Sequence, residues 1–246
     1  MTLFDESNFI VHLDEETTVS QIGITRNRIV EIPNFISPEN SSKVIEFLEA
    51  QAELWGDIAF YGSRGMGIDH NSPLVEKVGL PNGFFDELKS NFQKGVESVF
   101  KRAVKANSAH SQKWLPGGFA SPHSDNSDFK GTPTSFEINK YVGILYLNDN
   151  YEGGDLYFVE TEDVHTEKLR ISPKAGSFIT FPGGIENIHG VSEILSGERY
   201  TMVSFWDFAD ATYSEERQKE WAMEKEIVEL SKALAKQEWE RGNKWA

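Results

Sequence analysis

The chain has 246 residues, of which 39% are hydrophobic and 12% aromatic, so it can bury the core of one large β-rich domain. Its formal net charge of -15 repels polyphosphates, which disfavours nonspecific binding of DNA or RNA. Because the chain has no cysteine, disulfides, thiolate metal ligands and a cysteine nucleophile are excluded. Any metal ion must therefore be held by His, Asp or Glu.

The first 20 residues carry acidic side chains and no Lys or Arg, the opposite of a secretory or organellar leader. No apolar run approaches the roughly 20 residues that a membrane-spanning helix needs. We therefore expect a cytoplasmic protein without a membrane partner, and we interpret residues 1–28 as an N-terminal extension.

Two helices are predicted after a short strand at residues 29–35. Ser37 followed by Pro38 predicts a helix N-cap with proline at the first helical position. Apolar residues then recur at helical spacing in two stretches. The first contains Ile45, Leu48, Ala52 and Trp55, and the second contains Phe85, Leu88, Phe92, Val96, Val99 and Ala103.

A basic stretch accompanies the second helix and continues beyond it. Its members are Lys94, Lys101, Arg102, Lys105 and Lys113. We interpret them as the solvated face of a helix, which is the usual role of such charges, and not as a nucleic-acid site.

From residue 115 to residue 208 the sequence changes to short β-prone runs separated by Gly, Asn, Asp and Pro. This pattern is typical of a β-sandwich or barrel. The clearest predicted strands are residues 141–147, 156–160, 176–181 and 200–208. Residues 148–154, Asn-Asp-Asn-Tyr-Glu-Gly-Gly, predict a hairpin connection.

Three residues in this region have the types and spacing of metal ligands. His123 and Asp125 are two positions apart, so in an extended strand their side chains point to the same side. His189, on a distant strand, would complete a set of two histidines and one carboxylate. Such a facial triad suits non-haem Fe(II), because it occupies one face of the octahedron and leaves the other face open.

The middle and end of the chain resemble the prolyl 4-hydroxylase-like branch of the Fe(II)/2-oxoglutarate dioxygenases. The resemblance covers about residues 29–208, and its pieces occur in the family's order. They are residues 32–37 at the entry to the first helix, Gly117, His123-Ser124-Asp125, Tyr146-Leu147-Asn148, Gly153-Gly154-Asp155, Phe158, Gly176, Phe181, His189-Gly190-Val191, Arg199 and Trp206.

The resemblance implies a mainly β fold with flanking helices. Its core would be a double-stranded β-helix, a cupin-like jelly roll, packed by N-terminal helices. On this basis residues 29–208 form the dioxygenase domain and residues 209–246 form a C-terminal helical extension. One departure from the family is Trp114, which replaces the tyrosine that relatives usually have nine residues before the first ligand.

The resemblance also implies the reaction and its cofactors. Fe(II), held by His123, Asp125 and His189, would use O2 and the cosubstrate 2-oxoglutarate to hydroxylate an unactivated C–H bond, releasing succinate and CO2. Ascorbate is a candidate reductant. Arg199 would bind the distal carboxylate of 2-oxoglutarate, because its planar guanidinium matches a carboxylate bidentately. Tyr146 and Thr201 would add hydroxyl contacts.

Three functions remain open. The first is hydroxylation of a prolyl or other residue in a peptide or protein, and the second is hydroxylation of a free amino acid or small metabolite. The third is a non-enzymatic jelly-roll binding module, which would not need the triad and Arg199. Substrate choice is expected to lie in loops at residues 56–73 and 125–137, which contain Tyr61, Arg64, Asn71, Phe129 and Phe136.

The C-terminal extension is predicted to be a helix that begins with a capping box, Thr212 with Glu215. An apolar stripe follows, formed by Met223, Ile227, Leu230 and Leu234, and it either packs on its own domain or pairs two copies as a homodimer. Trp239 and Trp245 are expected to dock on a surface. The remaining candidate histidines, His12, His70, His110 and His165, are interpreted as surface or turn residues.

Overall fold

The computed structural model describes residues 4–17, 24–57, 65–69, 84–224, 226–227 and 230. Its helices are α1 (Pro38–Glu49), α2 (Phe84–Phe100) and α3 (residues 215–224). Its strands are β1 (Ile10–Glu16), β2 (Arg26–Ile32), β3 (Gly56–Asp57), β4 (Gly65–Asp69), β5 (Val104–Trp114), β6 (Ala120–His123), β7 (Tyr141–Tyr146), β8 (Glu152–Gly153), β9 (Leu156–Val159), β10 (Glu167–Ile171), β11 (Phe178–Pro182), β12 (His189–Val191), β13 (Ile194–Ser196) and β14 (Arg199–Phe208). Short 3-10 helices lie at Glu6–Asn8, Ala52–Leu54, Val164–Thr166 and Ile185–Asn187.

Two antiparallel sheets form the jelly roll that the sequence predicted. The larger sheet has the order β1-β2-β11-β7-β14-β5-β4-β3, the smaller one has the order β10-β9-β12-β6, and β13 pairs with β8. Buried side chains from both sheets pack in one cluster between them. The cluster consists of Ile29, Val142, Ile144, Tyr146, Leu156, Phe158, Ile171, Ile179, Phe181 and Val203.

Strand β7 shows how the larger sheet separates its two faces. Val142, Ile144 and Tyr146 point into the jelly roll, while Tyr141 and Leu145 belong to the core on the opposite face. Gly143 lies on that opposite face, and a Cβ there would be 2.4 Å from Cζ of Phe178. The ring of Phe178 therefore requires glycine at this position.

Helices α1 and α2 cover that opposite face, as predicted. The cap of α1 is confirmed, because Oγ of Ser37 accepts a hydrogen bond from the backbone N–H of Asn40 at 3.2 Å. The stripe of α2 buries Leu88, Phe92, Val96 and Val99 against the sheet. Both helices end earlier than their apolar spacing suggested. Lys101 ends α2 with a left-handed φ of 53°, and Trp55 lies beyond α1, where its indole N–H donates to the carbonyl of Leu48.

Strand β5 was not predicted. It pairs with β14 from Val104 opposite Phe208 to Trp114 opposite Arg199. Lys105 and Lys113 lie on this strand, so the basic stretch that we assigned to one helix is divided between α2, its end and β5. The strand was missed because its residues are mostly polar and Val104 is its one β-branched side chain.

The predicted hairpin at residues 148–154 is also wrong. Strand β7 lies in the larger sheet and β9 in the smaller one, so this segment carries the chain from one sheet to the other. On the way, β8 pairs with β13, with Gly153 opposite Ile194.

The N-cap of helix α3 lies two residues after the predicted one. Oγ of Ser214, and not Thr212, accepts from the backbone N–H of Arg217 at 3.2 Å. Three residues of its apolar stripe, Met223, Ile227 and Leu230, are 64%, 60% and 58% exposed. Leu234, Trp239 and Trp245 lie outside the described residues.

No helix among the described residues is long and apolar enough to cross a membrane. The boundaries after residues 28 and 208 stay a prediction.

Candidate active site

His123, Asp125 and His189 converge at one end of the jelly roll. His123 is the last residue of β6 and pairs directly with His189, the first residue of β12. Asp125 lies in the bend after β6 and not on the strand, as we had expected. Its position is fixed by its backbone N–H, which donates to the carbonyl of Gly183 at 3.0 Å. One ligand atom from each of the three side chains lies within 4.8 Å of the others.

Both imidazoles direct their Nε2 atom toward the place where the three side chains meet. Nδ1 of His123 lies 2.8 Å from the carbonyl oxygen of Ser121, and Nδ1 of His189 lies 2.9 Å from that of Asn187. A carbonyl oxygen only accepts, so each Nδ1 carries the proton and each Nε2 keeps its lone pair. Nε2 of His123 is 3.8 Å from Oδ1 of Asp125, and Nε2 of His189 is 3.4 Å from Oδ2.

The electrostatics of the three side chains favour a bound cation. Burial raises the pKa of Asp125 to about 6, against the influence of His123 and His110. Burial, with His123 beside it, lowers the pKa of His189 well below its usual value. Oδ2 of Asp125 is buried and has no hydrogen-bond partner among the described residues. A divalent cation would satisfy this oxygen and both lone pairs. Octahedral bonds of about 2.1 Å place neighbouring ligand atoms about 3 Å apart, so the three ligand atoms, now within 4.8 Å of one another, would have to move closer. The donor set of two nitrogens and one oxygen suits Fe(II).

Arg199 is the second functional group in the interior. It opens β14 and is 1% exposed, and its Nη2 donates to the hydroxyl of Tyr146 at 3.2 Å. In the part of the chain that the structure describes, Nε of Arg199 has no hydrogen-bond partner and no carboxylate pairs with the guanidinium. A buried cation without a counter-ion is costly, so this position is suited to an anionic ligand.

Tyr146 and Thr201 lie on the strands at Arg199, and their contacts with the cosubstrate stay a prediction. They are opposite each other on β7 and β14, and both are fully buried. Burial raises the pKa of Tyr146, so its phenol stays neutral and keeps a proton to donate. Thr201 is less available than expected, because its hydroxyl donates to Oε1 of Gln112 at 3.4 Å.

Tyr146 also connects the two parts of the site. It packs in the same cluster as Phe158 and Phe181, whose ring centroids lie 5.8 and 4.8 Å from that of His189. Arg199 and the triad therefore line one interior.

Strand β5 adds a row of interior side chains that the sequence did not predict. His110, Gln112 and Trp114 alternate along it, so they share one face. Oε1 of Gln112 accepts from the indole N–H of Trp114 at 3.1 Å, which leaves its amide N–H to donate to Nε2 of His110 at 2.9 Å. His110 acts on the pKa of Asp125, so our interpretation of it as a surface or turn residue is wrong.

The other predicted residues lie away from this interior or outside the described residues. His12 pairs with Glu31, and His165 is exposed. In the loop after Asp125, Phe129 and Phe136 are 42% and 38% exposed. His70, Tyr61, Arg64 and Asn71 fall outside the described residues.

Comparison with known proteins agrees with this geometry. Residues 109–207 match the family model described as the 2OG-Fe(II) oxygenase superfamily. Human prolyl 3-hydroxylase 3 is 35% identical over 99 residues, which are 40% of this chain and 13% of that protein. The chain thus spans only about an eighth of the length of this curated relative.

Two solved structures have a similar fold. The viral collagen prolyl hydroxylase of Paramecium bursaria Chlorella virus-1 is 14% identical with a TM-score of 0.54, over 74% of this chain and 96% of that one. HygX of Streptomyces hygroscopicus, solved with nickel, 2-oxoglutarate and hygromycin B, is 15% identical with a TM-score of 0.50, over 75% and 84%. Residues 109–207, which carry the triad and Arg199, therefore match the 2OG-Fe(II) oxygenase superfamily in sequence.

Proposed function

We propose that the chain is an Fe(II)- and 2-oxoglutarate-dependent dioxygenase that hydroxylates a prolyl or other residue in a peptide or protein. The observation that carries this proposal is the pairing of two incomplete groups in one interior. A triad with an unsatisfied buried carboxylate oxygen lines the same jelly-roll interior as a buried guanidinium that has no carboxylate partner among the described residues. A metal ion and a dicarboxylate ligand would satisfy both.

His123, Asp125 and His189 would hold the metal, with the two imidazoles oriented by the carbonyls of Ser121 and Asn187. Bound Fe(II), with 2-oxoglutarate and O2, would supply the oxidising chemistry that converts a C–H bond into C–OH and releases succinate and CO2.

At the other end of the interior, Arg199 would bind the distal carboxylate of 2-oxoglutarate. The hydroxyl of Tyr146 accepts from Arg199 and would donate its own proton to the same carboxylate. Thr201 would contribute only by releasing its hydrogen bond to Gln112. The apolar walls around them exclude water, so these contacts act in a low dielectric.

The substrate class is supported by the relatives and by the loop after Asp125. The sequence relative is named as a prolyl 3-hydroxylase, and a fold neighbour is a collagen prolyl hydroxylase. Phe129 and Phe136 carry exposed rings in the loop that follows Asp125, and aromatic surfaces suit proline-containing chains. A small-molecule substrate is the second candidate, because a fold neighbour was solved with hygromycin B bound. A module that only binds would leave the triad and Arg199 unexplained.

The test is succinate release stimulated by substrate. Proline-containing peptides, the matched free amino acids and hygromycin B are compared in the presence of Fe(II), 2-oxoglutarate and O2, with His189→Ala as the inactive control. Stimulation by peptides alone supports the peptide substrate, whereas stimulation by small molecules alone would overturn it. If no 2-oxoglutarate binds in the presence of metal, the enzyme assignment itself fails.

We also propose that α3 pairs two copies of the chain. Met223, Ile227 and Leu230 are exposed at the alternating spacing of four and three residues that a coiled coil uses. Light scattering should give a dimer mass that falls to the monomer mass in Ile227→Glu. A monomeric wild-type protein would contradict this. A cytoplasmic location and ascorbate as reductant remain predictions from the sequence.

A further inference from the structure

Tyr151 approaches Arg199 from the segment that connects β7 to β8. Two glycines with left-handed backbones allow this approach. A Cβ at Gly154 would be 3.0 Å from both Cε2 of Tyr151 and Cδ of Arg199, and a Cβ at Gly197 would be 2.9 Å from Cα of Tyr151. Tyr151 therefore packs directly against the strand start that carries Arg199.

Asn148 fixes this segment on both sides of Arg199. Its Nδ2 donates to the carbonyl of Glu198 at 2.7 Å, and its Oδ1 accepts from the backbone N–H of Tyr200 at 2.8 Å. The segment and Arg199 thus form one unit, so the position of the Tyr151 ring relative to the guanidinium is built into the fold.

The hydroxyl of Tyr151 is buried and has no hydrogen-bond partner among the described residues. Burial raises the pKa of Tyr151, while the charge of Arg199 and a side-chain contact between Arg199 and the hydroxyl lower it. Leaving a buried hydroxyl unpaired is costly. Nε of Arg199 is equally unpaired, and the hydroxyl of Tyr146 has a proton left to donate. Nε of Arg199 and the hydroxyls of Tyr146 and Tyr151 are thus three available donors around the guanidinium. The described part of the chain provides no carboxylate to pair with Arg199.

We propose that Tyr151 is a further residue of the cosubstrate pocket, whose hydroxyl donates to the distal carboxylate that Arg199 binds. This inference rests on the proposed function and extends it. A carboxylate offers about four acceptor positions, so Arg199, Tyr146 and Tyr151 can all donate to it at once. The pocket would thereby select a 2-oxo acid with a second carboxylate over one that ends in a methyl group.

The test compares Tyr151→Phe with the wild-type protein for two ligands. Calorimetry with Mn(II) under anaerobic conditions measures the affinity for 2-oxoglutarate and for 2-oxopentanoate, which has the same chain length but no distal carboxylate. Loss of one hydrogen bond to a charged group should weaken 2-oxoglutarate binding by about tenfold or more. Binding of 2-oxopentanoate should not change.

A second readout separates this role from a structural one. Because this hydroxyl makes no hydrogen bond of normal geometry within the described residues, Tyr151→Phe should not lower the melting temperature of the ligand-free protein. Tyr213→Phe is the matched control, since its hydroxyl donates to Asp207 at 3.0 Å and should affect stability without affecting 2-oxoglutarate. Unchanged 2-oxoglutarate affinity in Tyr151→Phe, or an equal loss for both ligands, would overturn the inference. If the wild-type protein does not bind 2-oxoglutarate at all, the proposed function fails as well.

Discussion

Replacing Arg199 by methionine should change cosubstrate binding and stability in opposite directions. Arg199 is 1% exposed, donates one hydrogen bond to Tyr146 and has no carboxylate partner among the described residues. Methionine fills a similar volume without a charge. Removing a buried cation that has no carboxylate partner is favourable. We expect this gain to offset the loss of one hydrogen bond of about 1 kcal/mol and of the cation–π contacts with Tyr146 and Trp114, whose ring centroids lie 4.9 and 5.8 Å from Cζ of Arg199. We expect the ligand-free variant to be unchanged or more stable by up to about 2 kcal/mol.

The affinity for 2-oxoglutarate should fall strongly in the same variant. A bidentate contact consists of two charge-assisted hydrogen bonds of about 1.5–3 kcal/mol each, so their loss weakens binding by roughly 10²- to 10⁴-fold. Arg199→Lys is the matched control. It keeps the charge but loses the planar fork, so it should weaken binding by roughly 10- to 100-fold.

Anaerobic calorimetry with 2-oxoglutarate and chemical denaturation measure the two quantities, and a metal titration verifies that the triad still binds its ion. Wild-type affinity for 2-oxoglutarate in Arg199→Met would refute the role of Arg199 in cosubstrate binding. A loss of about 3 kcal/mol or more of stability, the cost of breaking a buried ion pair, would also refute it, because Arg199 would then have a counter-ion in the folded protein.

Three further predictions concern the metal site, the β5 row and the core. A divalent metal at 100 times its dissociation constant should stabilise the wild-type protein by about 2.7 kcal/mol. Asp125→Asn should abolish this gain in thermal unfolding. Equal stabilisation of the two proteins would contradict the assignment of Asp125 as a metal ligand. Gln112→Ala should cost about 1–3 kcal/mol in chemical denaturation because it leaves the indole N–H of Trp114 unpaired, and unchanged stability would contradict this hydrogen bond. Gly143→Ala should cost about 1–3 kcal/mol, because its Cβ would lie 2.4 Å from Phe178. A Cβ at Gly95 would lie 3.1 Å from the same ring, so Gly95→Ala should destabilise the protein less in the same denaturation assay. Equal losses of stability in the two variants would contradict the packing at Gly143.

Local chemistry made the helix start and the metal ligands predictable. The cap formed by Ser37 and Pro38 depends on neighbouring residues only, and the structure confirms it. The triad residues were identified from their types and order, and the structure brings them together. The strand argument for Asp125 was nevertheless incomplete, since a hydrogen bond to Gly183 holds it in a bend after the strand.

Features that depend on distant partners were not predictable from local patterns. Strand β5 is polar along much of its length, and its pairing with β14 decides its conformation. His110 and Gln112 owe their place in the site to that pairing. Tyr151 was missed because the segment that carries it resembled a hairpin, although it crosses between sheets.

The most direct test of the central claim is an anaerobic titration of the protein with Fe(II) and 2-oxoglutarate, followed by visible absorption. If the triad and Arg199 form one site, a weak charge-transfer band should develop only when both ligands are present, and it should be absent in His189→Ala. A colourless mixture, with no binding of 2-oxoglutarate that depends on the metal, would contradict the account.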